Sequence, residues 1–279
     1  MSLLPNYRSA SAGSTPLSDE QLRRLTPSVF ASQPIAGVSD RYAFLPTSSV
    51  LKGLREGGWL PVLAREQPVR NEARKGFQKH CLRFARAEHL ERVQLNQVRP
   101  ELVLLNSHDR SSAYQLHCGL FRLVCSNGLV VADATFARIS VIHTGFRPEN
   151  VIAASFKVRD AVPGMMERVR LFQDRILTDA ERLGFAKDAA VYRWGDLAKA
   201  PLSPEKLLAP CRYGDDKKDL WTTLNTIQEH LTKGGQRDHS RRRPNGRPMG
   251  KSRAITGIAE DLDLNKCLWE RAEALREVR

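Results

Sequence analysis

A histidine and an aspartate stand side by side where a predicted strand ends, within the stretch Asn-Ser-His-Asp at residues 106–109. An imidazole beside a carboxylate could act as a general base with its orienting group, or the two could ligate a metal ion. The sequence has no HxH or HExxH pattern to supply a third ligand, so His117 or His143 could join His108 and Asp109 only through the fold. The alternative is an Asx-type turn, in which the side chains of Asn106 and Asp109 hydrogen-bond to nearby backbone. We favour the turn, and we predict neither a metal ion nor a cofactor.

The five cysteines offer a second kind of chemistry, because a thiolate can act as a nucleophile. Cys125 is the strongest candidate, since it lies directly before the turn residues Ser126-Asn127-Gly128. A reactive cysteine needs a neighbouring base or a positive field, and the sequence around Cys125 shows neither. It ends an apolar run, which predicts a buried thiol before a hairpin. No CxxC pair occurs, which argues against a zinc ribbon and against a disulfide framework.

The chain is strongly basic, with 44 lysines and arginines against 31 acidic residues and a formal charge of +13. An excess of this size concerns solubility and binding partners rather than the fold. Lys and Arg side chains that neutralise phosphates release condensed counterions, so a nucleic acid is the expected partner. The alternative is that the charge only keeps the protein in solution.

Basic residues concentrate at residues 236–253, a stretch that we call the arginine segment. It reads QRDHSRRRPNGRPMGKSR and contains one acidic residue, Asp238. With Gly and Pro interleaved and almost nothing apolar, it cannot offset the entropy of ordering by burying side chains, which predicts a disordered, mobile loop. Such loops bind phosphate backbones without sequence preference, whereas the alternative is a solvated tether between two helices. The candidate nucleic-acid ligands are Arg237, Arg241, Arg242, Arg243, Arg247, Lys251 and Arg253.

A second basic stretch, the sheet run, lies at residues 65–92 in the predicted sheet. Phe77 and Phe84 are interleaved with its cations, and Trp59 precedes it. Surfaces that bind single strands combine cations for the backbone with aromatic rings on which bases stack. Glutamates dilute the run, however, and both phenylalanines could instead belong to the core. The candidate nucleic-acid ligands here are Arg70, Arg74, Lys75, Lys79, Arg83 and Arg86.

The first half of the chain predicts the sheet that would position these residues. Residues 1–17 are rich in Ser, Pro and Gly, which predicts a flexible arm. Residues 18–147 form a sheet region, in which a short helix begins at the capping box Ser18–Gln21 and Thr47 serves as N-cap of a second helix. Short apolar or alternating runs between turn residues then predict an antiparallel meander of about five strands.

The second half, residues 148–279, predicts a helical region. Apolar residues recur at helical spacing over 149–175, although Pro163-Gly164 should break or kink this helix. Further helices begin at the capping box Thr178–Glu181 and at Asp219, and a last helix lies near the end of the sequence. We therefore predict an α+β fold in which the helical region packs with the sheet as one domain.

The compartment follows from what the sequence lacks. No stretch approaches the ~18 apolar residues that span a membrane, and the amino terminus has no apolar core or cleavage site of an export signal. Cysteines that are scattered and odd in number are typical of a reducing compartment. We therefore expect a cytoplasmic protein that does not contact membranes, and a homo-oligomer is compatible with the sequence.

Four blocks of the sequence carry a resemblance to a known family: Leu104–Asp109, Phe121–Leu129, Asp219–Thr223 and Arg253–Gly257. The chain resembles the YfjQ/YafZ-type family of unknown function that prophages, plasmids and integrative elements carry. The resemblance implies no activity, so no residue inherits a catalytic role. It implies a setting among mobile DNA elements, which favours DNA processing or evasion of host defence over metabolism.

Together these observations predict a mobile-element protein that binds nucleic acid and is not an enzyme. DNA is favoured over RNA, the interleaved aromatic residues favour a single strand, and the binding should have little sequence specificity. One alternative is a metal-dependent nuclease or other hydrolase centred on His108 and Asp109. Another is an interaction protein that blocks a host defence enzyme.

Overall fold

The computed structural model describes residues 15–38, 44–90, 98–122, 128–131, 139–141, 148–211 and 214–277. The chain divides into two compact units. The sheet unit comprises Met1–Val130 and Ala134–Val162, and the helical unit comprises Val131–Asp133 and Pro163–Arg279. The fold class is α+β, as the sequence predicts. That the sheet and helical regions form one domain stays a prediction.

The sheet unit is built on an antiparallel meander. Two short strands, β5 (Gly128–Val131) and β6 (Ile139–Val141), both pair with the fourth strand of this meander. The described residues thus form six strands, close to the five or so that the sequence predicts. The four long strands, each paired with the next, are β1 (Trp59–Glu66), β2 (His80–Arg86), β3 (Val98–Asn106) and β4 (Tyr114–Arg122).

Strand β3 carries polar side chains into the interior of the sheet unit. Every residue from Arg99 to Asn106 is buried, in agreement with the predicted buried strand. Two of these residues, Glu101 and Asn106, are polar and fully buried. In the register of β2 with β3, Asn106 lies opposite His80, which is also fully buried. Because buried polar groups need hydrogen-bond partners, other polar side chains must lie beside both of these β3 residues.

Helices α1 (Asp19–Leu25) and α2 (Thr47–Glu56) belong to the same unit, and a four-residue helix α3 (Ala87–Leu90) follows β2. The predicted capping box of α1 is present. Helix α2 begins differently from the prediction, because Pro46 takes the N-cap position and Thr47 is the first helical residue. The Thr47 hydroxyl therefore caps no backbone group and hydrogen-bonds to buried side chains instead.

Five helices follow the sheet: α4 (Pro148–Asp174), α5 (Asp179–Trp194), α6 (Pro204–Leu207), α7 (Leu220–Lys233) and α8 (Ile258–Glu277). Helix α4 is continuous through Pro163, so the break predicted there is absent. Helix α5 begins at the predicted capping box of Thr178 and Glu181, and Asp219 caps α7 as predicted. No described helix has the length and the apolar composition that a membrane span requires.

Helix α7 is enclosed on every side. All residues from Leu220 to Leu231 are buried, a pattern that a surface helix with one apolar face does not show. Several of them are polar, and Gln228, Glu229 and His230 stand next to one another near the carboxyl end of the helix. The helix thus brings a carboxylate, an imidazole and an amide into the interior of the helical unit.

Candidate nucleic-acid interface

The arginine segment follows a defined path in the helical unit. Its ends are joined by two hydrogen bonds, from Gly235 N to Ser252 O and from Ser252 N to Gln236 O, each 2.8 Å long. Further along, Met249 N donates to Arg241 O over 3.1 Å. The segment is therefore a hairpin-like excursion from the helices, and the disorder that its composition predicts stays a prediction.

Asp238, the one acid of the segment, anchors its first half. Its buried carboxylate accepts hydrogen bonds from Ser203 N (2.9 Å) and from the backbone and hydroxyl groups of Ser240 (2.9 and 2.6 Å). Burial by itself raises the pKa of Asp238, but these hydrogen bonds outweigh it and hold the pKa well below its usual value. Composition could not reveal this anchor, because Ser203 lies 35 residues away in the sequence.

Arg241 forms the second anchor of the segment. Its guanidinium donates from Nε to Ala200 O over 3.1 Å and from Nη2 to Leu197 O, at the two ends of a short 3-10 helix (Leu197–Lys199). A half-buried guanidinium that satisfies two backbone carbonyls has fewer donors left for a phosphate. Arg241, which the sequence predicts as a nucleic-acid ligand, therefore holds the segment in place.

The other basic residues of the segment lie at the surface. All six are exposed, and none forms an ion pair with a carboxylate of the described part of the chain. Because Asp238 is turned inward, the exterior of the segment carries positive charge alone. The six residues are Arg237, Arg242, Arg243, Arg247, Lys251 and Arg253.

Arg83 of the sheet run lies in the interior and has no surface to offer a phosphate. Its Nε donates to Glu101 Oε2 over 2.6 Å, and Arg99 Nε donates to the other carboxylate oxygen over 2.8 Å. The pairing of β2 with β3 places Arg83 opposite Val103, so Glu101 is its diagonal neighbour on the same face. Arg83 is therefore removed from the predicted set of nucleic-acid ligands.

Most other cations of the sheet run also have partners within the protein. Arg86 donates to Gly57 O over 2.7 Å and covers the ring of Trp59, so it braces the turn between α2 and β1. Arg74 pairs with the Asp109 carboxylate at 3.1 Å. The remaining candidates are Lys75, which is exposed and pairs with Glu72, together with Arg70, which is exposed, and Lys79, which is half-buried.

The aromatic side chains that could stack on bases are mostly buried. Trp59 is 1% exposed and Phe84 is 0% exposed, because both belong to the core of the sheet unit. Phe77 is half-buried. Over residues 65–90, the part of the sheet run that the structure describes, there is therefore no row of exposed rings and cations of the kind that a surface for single strands requires.

The histidine and aspartate pair has separate structural roles. Asp109 Oδ1 accepts a hydrogen bond from Ser111 N over 2.9 Å, which is the Asx turn that the sequence favours at this residue, whereas the Asn106 amide donates to the Thr47 hydroxyl and not to nearby backbone. Burial by itself raises the pKa of Asp109, but hydrogen bonds from Ser111 and Ser107 and the charge of Arg74 lower it below the usual value. The carboxylate is thus held ionised by its own turn.

His108 belongs to a buried polar cluster centred on the Thr47 hydroxyl. Thr47 Oγ1 lies 3.1 Å from His108 Nε2, 3.0 Å from His80 Nε2, 3.1 Å from the Tyr114 hydroxyl and 3.0 Å from Asn106 Nδ2. Burial lowers the pKa of His80 to about 4, although a hydrogen bond with Gln78 O and the charge of Asp109 oppose the shift. The cluster thus ties α2 to three strands by hydrogen bonds around a neutral imidazole.

No metal site forms around His108 and Asp109 within the described part of the chain. The ligand atoms of these two residues do not converge with a third histidine, cysteine, aspartate or glutamate there. His117 lies on β4 with its Nε2 at 3.2 Å from Gln115 Oε1, and His143 lies outside the described residues. The nuclease alternative therefore has no supporting geometry in these residues.

The cysteine candidate Cys125 also lies outside the described residues. Burial raises the pKa of Cys118 on β4 to about 12, so this thiol is not a nucleophile. Among the described residues, one group of side chains has ligand atoms close enough together to hold a metal ion. It consists of Cys211, Asp215 and Glu229 in the helical unit. Sequence reasoning missed it, because its members come from a loop and a helix with no recognisable spacing.

Comparison with known proteins connects the chain to a family. A family model described as Domain of unknown function (DUF932) matches residues 34–269. The chain is 38% identical over 260 residues to the UPF0380 protein YafZ of Escherichia coli (strain K12), which covers 93% of this chain and 92% of that protein. It is 37% identical to the UPF0380 protein YfjQ of the same organism, with the same coverage.

No solved structure matches the chain. The two relatives are those that the four sequence blocks indicate, so the predicted resemblance is confirmed. The family match covers most of both the sheet unit and the helical unit. The chain therefore belongs to the family described as Domain of unknown function (DUF932).

Proposed function

We propose that the protein binds nucleic acid, DNA in preference to RNA, through the exterior of the arginine segment. The observation that carries the proposal is the set of six exposed cations on a hairpin whose one carboxylate is buried. Each phosphate that a Lys or Arg neutralises releases a counterion, and this entropy drives binding without reference to base sequence. Little sequence specificity is therefore expected, as is a strong dependence on salt.

The folded path of the segment strengthens the proposal. A disordered basic loop loses conformational entropy when it binds, which weakens the affinity per contact. Here Asp238 and Arg241 tie the hairpin to its own unit before any ligand is present. The exposed cations are thus carried on a path that is tied down before binding, which lowers the entropy lost on contact with phosphates.

The sheet run has a smaller part in the proposal. Arg83 is buried, and Arg74 and Arg86 have partners in the protein. Arg70, Lys75 and Lys79 can still add contacts of their own on the sheet unit. We give the arginine segment the main role, because its cations are more numerous and are not diluted by acids.

The test compares two triple variants with the same change in net charge. The first is Arg242→Gln/Arg243→Gln/Arg247→Gln, and the control is Arg170→Gln/Lys187→Gln/Lys199→Gln, which removes three exposed cations elsewhere in the helical unit. Binding to labelled single-stranded and duplex DNA, and to RNA of the same sequence, is measured by fluorescence anisotropy from 50 to 200 mM salt.

The segment variant is expected to bind DNA at least ~10-fold more weakly, and its salt slope should fall by about 3 if all three arginines contact duplex phosphates. The control should stay within about threefold of the wild type, because net charge alone acts weakly at these salt concentrations. Equal affinities of the two variants would refute the proposal.

A further inference from the structure

The strongest cluster of ionisable groups outside the proposed interface lies beside the carboxyl end of α7. Ligand atoms of Cys211, Asp215 and Glu229 all lie within 4.8 Å of one another. Asp215 and Glu229 are buried, at 1% and 3% exposure, whereas Cys211 is exposed. A loop after α6 supplies the first two residues and α7 supplies the third, so the cluster joins two separate stretches of the chain.

His230, next to Glu229 on α7, lies beside Cys211 but is not one of the three residues whose ligand atoms all converge within 4.8 Å, so its ring must move to become a fourth donor. Its Nε2 lies 3.4 Å from Cys211 Sγ and 2.8 Å from Ala209 O. Its Nδ1 forms a hydrogen bond of 2.5 Å with Gln236 Oε1, while Gln236 Nε2 donates to His230 O. This second bond sets the amide orientation, so Nδ1 carries the proton that the amide oxygen accepts. Ala209 O can only accept, so Nε2 donates to it in this arrangement, and a zinc ion at Nε2, the nitrogen that faces Cys211, would replace that proton.

We propose that Cys211, Asp215, Glu229 and His230 bind a zinc ion. Thiolate, imidazole and carboxylate groups are the donors that zinc takes in four-coordinate sites, and a thiolate with an imidazole disfavours magnesium or calcium. Bond lengths of about 2.0–2.3 Å in a tetrahedral site put neighbouring donor atoms roughly 3.3–3.6 Å apart. The three atoms that lie within 4.8 Å of one another need to approach by up to about 1 Å. The His230 imidazole, which is not part of that group, must in addition move towards Asp215 and Glu229 and exchange Ala209 O for the ion.

The charges of the site suit a divalent cation. One thiolate and two carboxylates carry three negative charges, and the Lys233 ammonium group contacts Glu229 and supplies one positive charge. A zinc ion brings the sum to zero. Since two of the three negative groups are buried, this balance removes much of the cost of keeping them ionised away from water.

The surroundings hold the donors in place, as outer-shell groups of zinc sites do. Gln228 Nε2 donates to Asn265 Oδ1 over 2.9 Å, and Asn265 Nδ2 donates in turn to Asp261 O, so α7 is fixed against α8. Gln236, which orients the imidazole, is the first residue of the arginine segment. The zinc site would thus brace the base of that segment, although its existence does not depend on nucleic-acid binding.

The experiment uses the full chain, stripped of metal with a chelator and then titrated with zinc against a chromophoric competitor. Wild-type protein should bind one zinc ion per chain, and cobalt in its place should give the thiolate-to-metal and tetrahedral ligand-field absorption bands. Cys211→Ser should weaken zinc binding at least ~100-fold and abolish the thiolate band, and Gln236→Ala should weaken it ~10- to 100-fold.

The matched control is Cys267→Ser, a half-buried cysteine of α8 in the same unit, which should bind zinc like the wild type. Asp215→Asn is a second test, and thermal melts verify that each variant folds. Wild-type protein without stoichiometric zinc, or a Cys211→Ser variant that binds equally well, would overturn the site. A third result would also overturn the site: alkylation of Cys211 that is faster than that of Cys267 both in metal-free protein and in zinc-treated protein. Such reactivity would indicate a thiolate–imidazolium pair instead of a zinc ligand.

The result also stays distinct from the test of the proposed function. Zinc binding is measured without nucleic acid, and the triple variant of Arg242, Arg243 and Arg247 should retain it in full. Loss of DNA binding with zinc retained would support both proposals. DNA binding unchanged in that variant, with zinc bound, would refute the proposed interface alone.

Discussion

Two basic side chains of the sheet run, Arg74 and Arg83, turn towards acids of the sheet unit, whereas in the arginine segment the one acid turns inward and six basic side chains stay outside. Arg83 and Arg99 share the fully buried carboxylate of Glu101. Asp238 is enclosed by hydrogen bonds from serines, and six cations remain exposed around it. Both regions are rich in basic residues, yet the arginine segment exposes six cations that pair with no carboxylate of the described residues, whereas in the sheet run Arg83 is buried and Arg74 and Lys75 pair with acids.

The difference follows from where the partner acids come from. In the sheet run, strand pairing brings Glu101 from β3 to Arg83 on β2, over a separation of 18 residues. The arginine segment is a hairpin that pairs mainly with itself, so it meets few acids from elsewhere. Charge density in a sequence therefore indicates binding only where the fold supplies no carboxylates to absorb it.

The largest expected effect tests the buried side of this comparison. Glu101→Gln should lower the free energy of unfolding by about 3–5 kcal/mol, because it leaves two buried guanidinium groups without their shared counter-charge. Urea denaturation measures the change. The variant that remains folded should bind DNA as the wild type does, since Arg83 lies in the interior.

A matched substitution is Glu72→Gln, which removes the partner of Lys75 at an exposed position. Exposed ion pairs contribute little, so this change should stay within about 0.5 kcal/mol. A loss below 1 kcal/mol for Glu101→Gln would mean that Arg83 and Arg99 reach solvent, and Arg83 would return to the set of nucleic-acid ligands.

The next effect is a pH dependence that should arise in the sheet unit. The pKa of His80 is about 4 in the folded chain against an ordinary value of 6.5, so the unfolded chain binds the proton more readily. The contribution of the neutral His80 side chain to the free energy of unfolding is fully present above pH 6.5 and is lost as the pH falls towards 4. The loss should approach about 3 kcal/mol.

Urea denaturation at several pH values between 7 and 4 measures this loss. The variant His80→Gln should show a smaller slope between pH 6.5 and 4, by up to one bound proton. His239→Gln is the control, because His239 is exposed in the arginine segment and its loss should leave the slope unchanged. A wild-type stability that is flat over this range would place His80 in contact with water.

Local sequence patterns predicted the framework well. The capping boxes at Ser18 and Thr178 and the cap at Asp219 are all present, because each depends on residues three positions apart. The antiparallel meander also follows from local patterns of apolar residues and turns. Thr47 shows the limit, since a threonine before a helix reads as an N-cap, and only the fold reveals that its hydroxyl meets two histidines.

The candidate sites were less predictable, because they depend on partners far away in the sequence. The Asx turn at Asp109 was predicted, as its acceptor and donor are two residues apart. The anchoring of Asp238 by Ser203 and the meeting of Cys211 with Glu229 join stretches of chain that no spacing rule connects. For the same reason, the composition of the arginine segment does not show that residues distant in the sequence anchor it.

The smallest expected effect compares two neighbouring arginines within the segment. Arg241→Ala should cost about 1.5–3 kcal/mol of stability, because it leaves Ala200 O and Leu197 O without a charged donor. Arg242→Ala should stay within about 0.5 kcal/mol, since Arg242 is exposed and bonds only to carbonyls of its own hairpin among the described residues. For DNA the order reverses: Arg242→Ala should lower the salt slope by about 1, and Arg241→Ala should leave the slope unchanged in the folded protein. Hydrogen exchange and anisotropy separate the two roles, and a larger loss of affinity for Arg241→Ala would show that the scaffold arginine contacts the phosphates itself.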